Sequence, residues 1–490
     1  MGLDVAELVA ALPAGMDEEA LPASVQAALE QLVGELAKKP VPVSRLGRLW
    51  TLGSVHAKIA AGYLAYWVRT SYAASDERER QLNETHLAAA IKLLGAMSYL
   101  RGAVMKVGQM LATYPNIVPR EFADTLSTLH FEAPPMHFGL LREYLRDELG
   151  GDPREVFAEF ETEAFAAASL GQVHRAILKS GERVAVKVQY PGIAKTIESD
   201  FRNLLALFTP MRLSKDWDSI RAQGEDVRRI FAGETDYQRE ASFLERARAL
   251  FNPDEGILVP KAFPQYSTRR VLTMEYLDGV HIDRYLEGNP SPEERDRYGT
   301  LVMRASFRIA HKGRFWYADS NPGNYLFLRD GSLGVIDFGC CREFTADEWD
   351  FYLQVWRVYQ ENGAGLREAM IRAADLDPTQ PLDEEHVRFL ETFCNWFSDY
   401  LRYDGAFDFG DEAFMRRGVE LTAEVAKKRY FRSMPVNVWI DRQLLGLRAL
   451  AHRLKARVNM KRLGQEEAWG ILDATASGSV TVPAVPARRD

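Results

Sequence analysis

Apolar and polar residues recur along this chain with two different periods, and the period changes near residue 155. Residues 1–37 carry a helical rhythm broken at Pro13 and Pro22, which predicts one or two acidic amphipathic helices. KKPVPVSRLGR, 38–48, is a linker by its prolines. Leu52, Val55, Ile59, Tyr63, Tyr66 and Trp67 follow i, i+3, i+4 spacing, and a longer helical pattern runs from Leu82 to Tyr114, closed by Pro115. The pattern then shortens to VFAEF, SLGQVHRAIL and RVAVKVQY, with period-two alternation and a turn-like KSGE between the last two, so an antiparallel hairpin is expected. Residues 191–250 read as helical, and ILVPKAF and RRVLTMEYLDG restore strand character. From 290 onward helices dominate, except for WYADSNPGNYLFLRDGSLGVIDFG, 316–339, which reads as a hairpin around a Gly-containing reversal. The prediction is an α+β chain: a small mixed lobe, then a large helical one.

Length turns this pattern into domains. At 490 residues the chain is too long for one small core. The expected segments are 1–37, 38–150, a mixed lobe at 151–278 with a helical insertion at about 191–235, and a helical lobe at 279–490. A composition of 47% apolar and 27% charged residues is that of a globular protein. The formal net charge of −8 argues against a nucleic-acid partner, whose footprint is a basic domain.

Local charge runs against the total. From Lys38 to Arg69 there is no acidic residue, while Lys38, Lys39, Arg45, Arg48, Lys58 and Arg69 all fall there. A basic, aromatic-bearing helix at 52–69 suits an anionic membrane surface; the alternative is that its apolar stripe packs on the rest of the protein. No apolar run approaches the roughly 18 to 20 residues of a membrane span. The N-terminal sequence lacks a basic n-region and places Asp4 and Glu7 among its apolar residues, unlike a secretory signal. The three cysteines, Cys340, Cys341 and Cys394, match neither a disulfide framework nor a zinc spacing. The expected location is a reducing, cytoplasmic one, with peripheral contact at the inner face of a membrane if the 52–69 helix meets lipid rather than protein.

Candidate chemistry clusters in the mixed region. Lys187 lies mid-strand in VAVKV; taken alone, a strand lysine there is expected to reach solvent. Upstream, Ala166, Ala167, Ala168, Ser169, Leu170 and Gly171 form a small-residue turn leading into Val173, and such a turn lets backbone amides approach a polyphosphate. In the 316–339 stretch Asn324 follows Asp319 by five residues and Asp337 follows Asn324 by thirteen. A protein-kinase catalytic loop and Asp-Phe-Gly motif have this layout: one acid orients the nucleophile, while the Asn and second Asp hold magnesium through hard oxygen donors. A kinase also needs an acid to orient its lysine, and Glu240 lies on a predicted helix between Lys187 and the next strands. Lys106 and Gln109 share one face of the long helix amid apolar neighbours, where a half-buried lysine requires an acidic partner.

Together these residues resemble the UbiB/AarF-type atypical kinase-like family, the group that includes the mitochondrial coenzyme Q biosynthesis ATPases. Lys106-Val-Gly-Gln109 resembles its K-x-G-Q signature, and Glu132-Ala-Pro-Pro135 its Pro-Pro segment. AAASLGQVH resembles its Ala-rich loop, with Ala166, Ala168 and Gly171 in the places of the kinase glycines, and Glu234-Thr-Asp236 resembles its E-x-D motif. The resemblance implies a bilobal protein-kinase-like fold with a K-x-G-Q helical extension over the substrate site. It implies ATP or ADP and Mg2+ as cofactors, with Lys187 and Glu240 paired on the nucleotide and Asn324 and Asp337 on the metal. Asp319 would be the catalytic-loop acid, Glu275 to Leu277 the adenine hinge, and Lys106 and Gln109 regulatory partners of Glu234 and Asp236. The implied function is an ATPase or small-molecule or lipid kinase supporting quinone or isoprenoid-lipid metabolism, with a lipid or quinone precursor as ligand. A serine/threonine protein kinase and a non-catalytic nucleotide-gated scaffold are the alternatives. The chain departs from ordinary kinases in lacking the Arg before Asp319, and in running from Gly339 into CCREFTADEWD without an activation segment. Phe243 stands where many relatives carry Asn.

Overall fold

The computed structural model describes residues 138–168, 170–193, 228, 233–317, 319, 321–361, 383–428 and 435–469. The 1–37 segment, the 52–69 helix, Lys106, Gln109, Ser169 and most of the 191–235 insertion lie outside the described residues. The chain divides into two compact units. One contains residues up to Tyr237 together with Gln265–Thr273; the other contains Gln238–Pro264 and the residues from Met274 onward.

In the first unit, helix α1 (Phe138–Leu149) buries Leu141 and Leu145, one turn apart, and ends at Gly150, whose φ of 73° is the left-handed value that closes helices. Its Glu148 accepts bonds from Thr268 Oγ1 at 2.7 Å and from the Arg270 guanidinium at 2.8 Å, fixing the turn before the strand that begins at Val271. VFAEF yields only a two-residue strand, β1 (Glu159–Phe160), because Pro153–Val156 form a short helix capped by Asp152. Strands β2 (Ala166–Ala168), β3 (Gly171–Ile177) and β4 (Arg183–Gln189) follow.

The expected hairpin is present. β3 and β4 pair antiparallel from Gly171↔Gln189 to Ile177↔Arg183, and Gly181 takes a φ of 98° in the turn. β4 is not half-buried, however: Val184, Val186 and Val188 are fully enclosed, and so are Lys187 at 5% and Gln189 at 1% exposure on the opposite pleat. The expectation of a solvent-facing Lys187 is therefore corrected. Alternation shows which residues share a face, but burial of both faces is decided by what packs on the sheet.

The second unit takes up helix α2 (Tyr237–Arg248) from its second residue, then β5 (Ile257–Leu258), the end of β6 (Val271–Glu275) and β7 (Gly279–Val280). Helix α3 (Pro292–His311) starts at a reciprocal Ser291–Glu294 capping box with Pro292 at its first position, a strong start signal legible in SPEE. It is followed by β8 (Phe315–Tyr317), β9 (Tyr325–Leu328), β10 (Leu333–Val335), β11 (Cys341–Glu343) and helix α4 (Ala346–Glu361). Three long helices follow, α5 (Glu384–Arg402), α6 (Glu412–Lys428) and α7 (Pro435–Leu454), with a short strand pair, Phe407–Asp408 on Arg457–Val458, and a last helical stretch from Met460 to Trp469. A four-stranded sheet has the order β5-β10-β9-β7, and β8 pairs with β11. No helix among the described residues is long and apolar enough to cross a membrane.

Behind α3 lies a buried ion cluster. Arg308 donates to Glu467 at 2.8 and 2.7 Å and to Glu255 at 2.7 Å, and Lys312 also reaches Glu467 at 2.7 Å. Burial pushes the Glu467 carboxyl up, but the bonds from Arg308 and Lys312 outweigh it and hold the group below the usual range. The cluster ties the end of the described chain to the helix that leads into the Asp319 loop.

Candidate active site

In the first unit, the small-residue turn is a hairpin. Ala166 pairs with Val173 and Ala168 with Gly171, and Leu170 O accepts from Tyr190 N at 3.0 Å. Gly171 is dictated by close approach: a Cβ there would lie 2.0 Å from Val188 O. Val173 and Lys187 are direct cross-strand partners, so the strand lysine sits beside the turn, as their short sequence separation allows. Lys187 Nζ lies 5.1 Å from the centre of the Tyr237 ring. Glu234 is buried at 5% exposure, while Asp236 pairs with Arg269 at 3.1 Å.

In the second unit, Asp319 lies two residues beyond β8, and Asn324 ends a single 3-10 turn, Pro322–Asn324, whose N-cap is Asn321. Asn324 Nδ2 donates to Asp319 O at 2.9 Å, and Ile336 N donates to Asn324 O at 3.0 Å. The loop and the start of the Asp-Phe-Gly segment are thereby stitched together through Asn324. The hairpin between them forms as expected, with Phe327↔Leu333 in register and Gly331 at a φ of 83°. Asp337 Oδ1 accepts from Gly339 N at 2.9 Å. A Cβ on Gly339 would meet Asp337 Oδ1 at 3.2 Å and Glu240 Oε2 at 3.5 Å, so the two carboxylates converge on this glycine. Tyr317 is buried beneath the acids; burial first, then Tyr325, Cys341, Asp337 and Asp319, push its phenol well above the ordinary value, so it stays protonated. Burial likewise raises the Cys341 thiol, which excludes a reactive thiolate at neutral pH.

The hinge candidates also lie here. Glu275 N donates to Lys261 O at 2.8 Å, and a Cβ on Gly334 would meet Leu277 Cδ1 at 3.0 Å, placing Leu277 against β10. Tyr276 follows β6 directly.

Sequence reasoning missed a staple along α2. Arg239 donates to Cys341 O, Arg246 pairs with Glu343 and donates to Gly313 O at 3.1 Å, and Phe243 packs on Phe315 with ring centres 5.0 Å apart. Both guanidiniums lie over the Phe243 ring, at 5.1 and 5.3 Å. Arg239, Phe243 and Arg246 are spaced i, i+4, i+7, a one-face signal that was available in the sequence. Phe243 thus belongs to the packing that fixes Glu240 beside the Asp337 segment. Gly339 and the first residue of α4, Ala346, are separated by six residues that include β11, so the chain has no room there for a long activation segment.

The donor set bears on a metal. Among the described residues no cluster of three His, Cys, Asp or Glu side chains could hold one. With Nδ2 committed to Asp319 O, Asn324 has its Oδ1 left to offer, and with the Asp337 carboxylate this makes an all-oxygen pair of the kind magnesium takes. Such a mixed Asn and Asp set fits the group.

A sheet-bearing unit with a strand lysine and a helix-rich unit with an Asp-Asn-Asp hairpin define a protein-kinase-like protein. Residues 128–370 match the model of the ABC1 atypical kinase-like domain, and the chain belongs to that family. It is 27% identical over 446 residues to the atypical kinase COQ8B, mitochondrial, of Danio rerio, covering 89% of this chain and 70% of that protein. It is 27% identical over 447 residues to the atypical kinase COQ8, mitochondrial, of Saccharomyces cerevisiae, covering 89% and 87%. The solved complex of Rv3197 with erythromycin from Mycobacterium tuberculosis shares the fold, with a TM-score of 0.53 and 24% identity over 80% of this chain and 98% of that one.

Proposed function

We propose that this protein is a magnesium-dependent, ATP-binding kinase-like enzyme that hydrolyses ATP or transfers its terminal phosphoryl group to a small lipid-like or quinone-precursor acceptor. The observation that carries this reading is the Asn324 Nδ2 bond to Asp319 O, in a loop stitched by Ile336 to the Asp337 segment. Asp319 would orient the acceptor hydroxyl or water and take its proton. Lys187, oriented by Glu240, would hold the phosphates under the Ala166–Gly171 hairpin, whose alanines and glycine would let backbone amides approach them, and Glu275 and Leu277 would face adenine. Asn324 and Asp337 would hold magnesium, which supplies neutralisation of the charge developing on the phosphoryl oxygens. The short connection from Gly339 to α4 favours a small acceptor over a docked peptide, because peptide docking uses an activation segment. The names of the COQ8 relatives support a setting in quinone metabolism. Lys106 and Gln109 would regulate the site by pairing with Glu234 and Asp236, and 38–69 would bind the inner face of an anionic membrane.

The test is ATP turnover by the full chain with and without magnesium, anionic liposomes and phenolic quinone precursors. The expected result is magnesium-dependent hydrolysis that rises with liposomes or precursor. Faster radiolabel transfer to protein substrates than to water or small acceptors would replace this reading with protein phosphorylation.

A further inference from the structure

Lys187 is enclosed, and an aromatic ring lies over its amine. Its Nζ lies 5.1 Å from the Tyr237 ring centre, inside the range in which an aromatic quadrupole attracts a cation. Lys187 and Tyr237 are 5% and 2% exposed, so the attraction operates out of water, where it is strongest. The placement is built in rather than incidental. Lys187 and Gln189 lie two apart on one face of β4; Gln189 Nε2 donates to Thr235 O at 2.9 Å, so the pairs 189/235 and 187/237 form a two-step ladder. Tyr237 N donates to Arg269 O at 3.0 Å, and Arg269 returns a bond to the Asp236 carboxylate at 3.1 Å, which pins the chain where it enters the ring-bearing residue. Tyr237 also stands three residues before Glu240, so ring and carboxylate project from one face of α2.

We propose that Tyr237 is a positioning residue: its π-face holds the Lys187 ammonium in place without neutralising it, keeping the charge for an anionic phosphate. A second carboxylate at this position would fix the amine equally well but would cancel the charge that the phosphate needs. The inference rests on Lys187 being a phosphate contact, and its test separates the two ideas.

The experiment measures the dissociation constant of ATP for the full chain by calorimetry, with thermal unfolding recorded for every variant. Tyr237→Phe keeps the ring and is expected to bind within about twofold of the parent. Progressive fluorination of that phenylalanine drains the ring quadrupole at nearly constant size, and is expected to weaken binding stepwise to roughly tenfold without lowering the unfolding temperature. Tyr237→Leu should lose a similar factor. Lys187→Met is the control for the underlying reading. If Lys187→Met leaves ATP affinity unchanged, the phosphate assignment of Lys187 falls. If Lys187→Met weakens binding but the fluorinated series stays flat, the assignment stands and the role of Tyr237 is overturned. A loss that tracks only a falling unfolding temperature makes Tyr237 a packing residue and overturns the proposal as well.

Discussion

The Lys187 strand and the Asp319–Asp337 hairpin hold their charged groups by opposite means. Lys187 is fixed by side-chain enclosure: valines at 0% exposure along β4, a ring 5.1 Å from its amine, and a glycine that lets β3 close on the backbone. The acids are fixed by main-chain bonds, from Asn324 to Asp319 O, from Ile336 to Asn324 O, and from Gly339 to Asp337. A cation on a flexible four-carbon stem needs walls, whereas a short carboxylate follows wherever its backbone turns. Substitutions should therefore separate chemistry from stability in the hairpin and couple them in the strand.

The largest expected effect is on chemistry alone. Asp337→Asn keeps the size of the side chain and should still fold, yet should lower magnesium-dependent ATP turnover by about a thousandfold, an effect of about 4 kcal/mol on the barrier. Unchanged turnover in a steady-state assay would remove the metal assignment. Next comes the cluster behind α3, where Glu467→Gln should destabilise the protein by about 3 kcal/mol in denaturant titration, because buried Arg308 loses a two-bonded partner and the exposed Lys312 loses its ion pair. Since the folded-state carboxyl is held below its ordinary value of 4.5, this contribution is complete above that pH and fades as pH falls through the lowered value. The gap between variant and parent should therefore narrow in acid.

Gly171→Ala should cost about 2 kcal/mol and weaken nucleotide binding in the same preparation, since a Cβ 2.0 Å from Val188 O must push β3 off β4. Loss of binding without loss of stability would break the contrast drawn above. The smallest stability change is expected for Asn324→Ala, about 1 kcal/mol for one bond, accompanied by a larger loss of turnover. Equal losses in both would show that Asn324 only braces the loop.

Much of this was legible in advance. The β3–β4 hairpin, the capping box of α3 and the 316–339 hairpin follow from periodicity and turn chemistry, which act over a few residues. The spacing of Asp319, Asn324 and Asp337 was readable because all three belong to one local hairpin. The burial of Lys187, the ring over its amine and the staple from α2 to β11 were not, although the i, i+4, i+7 spacing of Arg239, Phe243 and Arg246 marked the face that makes the staple. Arg308 shows the limit most sharply: its partners lie 53 and 159 residues away, and no local pattern marks either.

By itself, the sequence determined the elements, the small-residue turn and the order of the chemical groups, because hydrogen-bond periodicity and glycine's conformational freedom are local properties. Tertiary structure alone decided which polar groups lose water and what faces them instead. Desolvation depends on every chain segment that packs around a site, and for Lys187 those segments lie far apart in sequence.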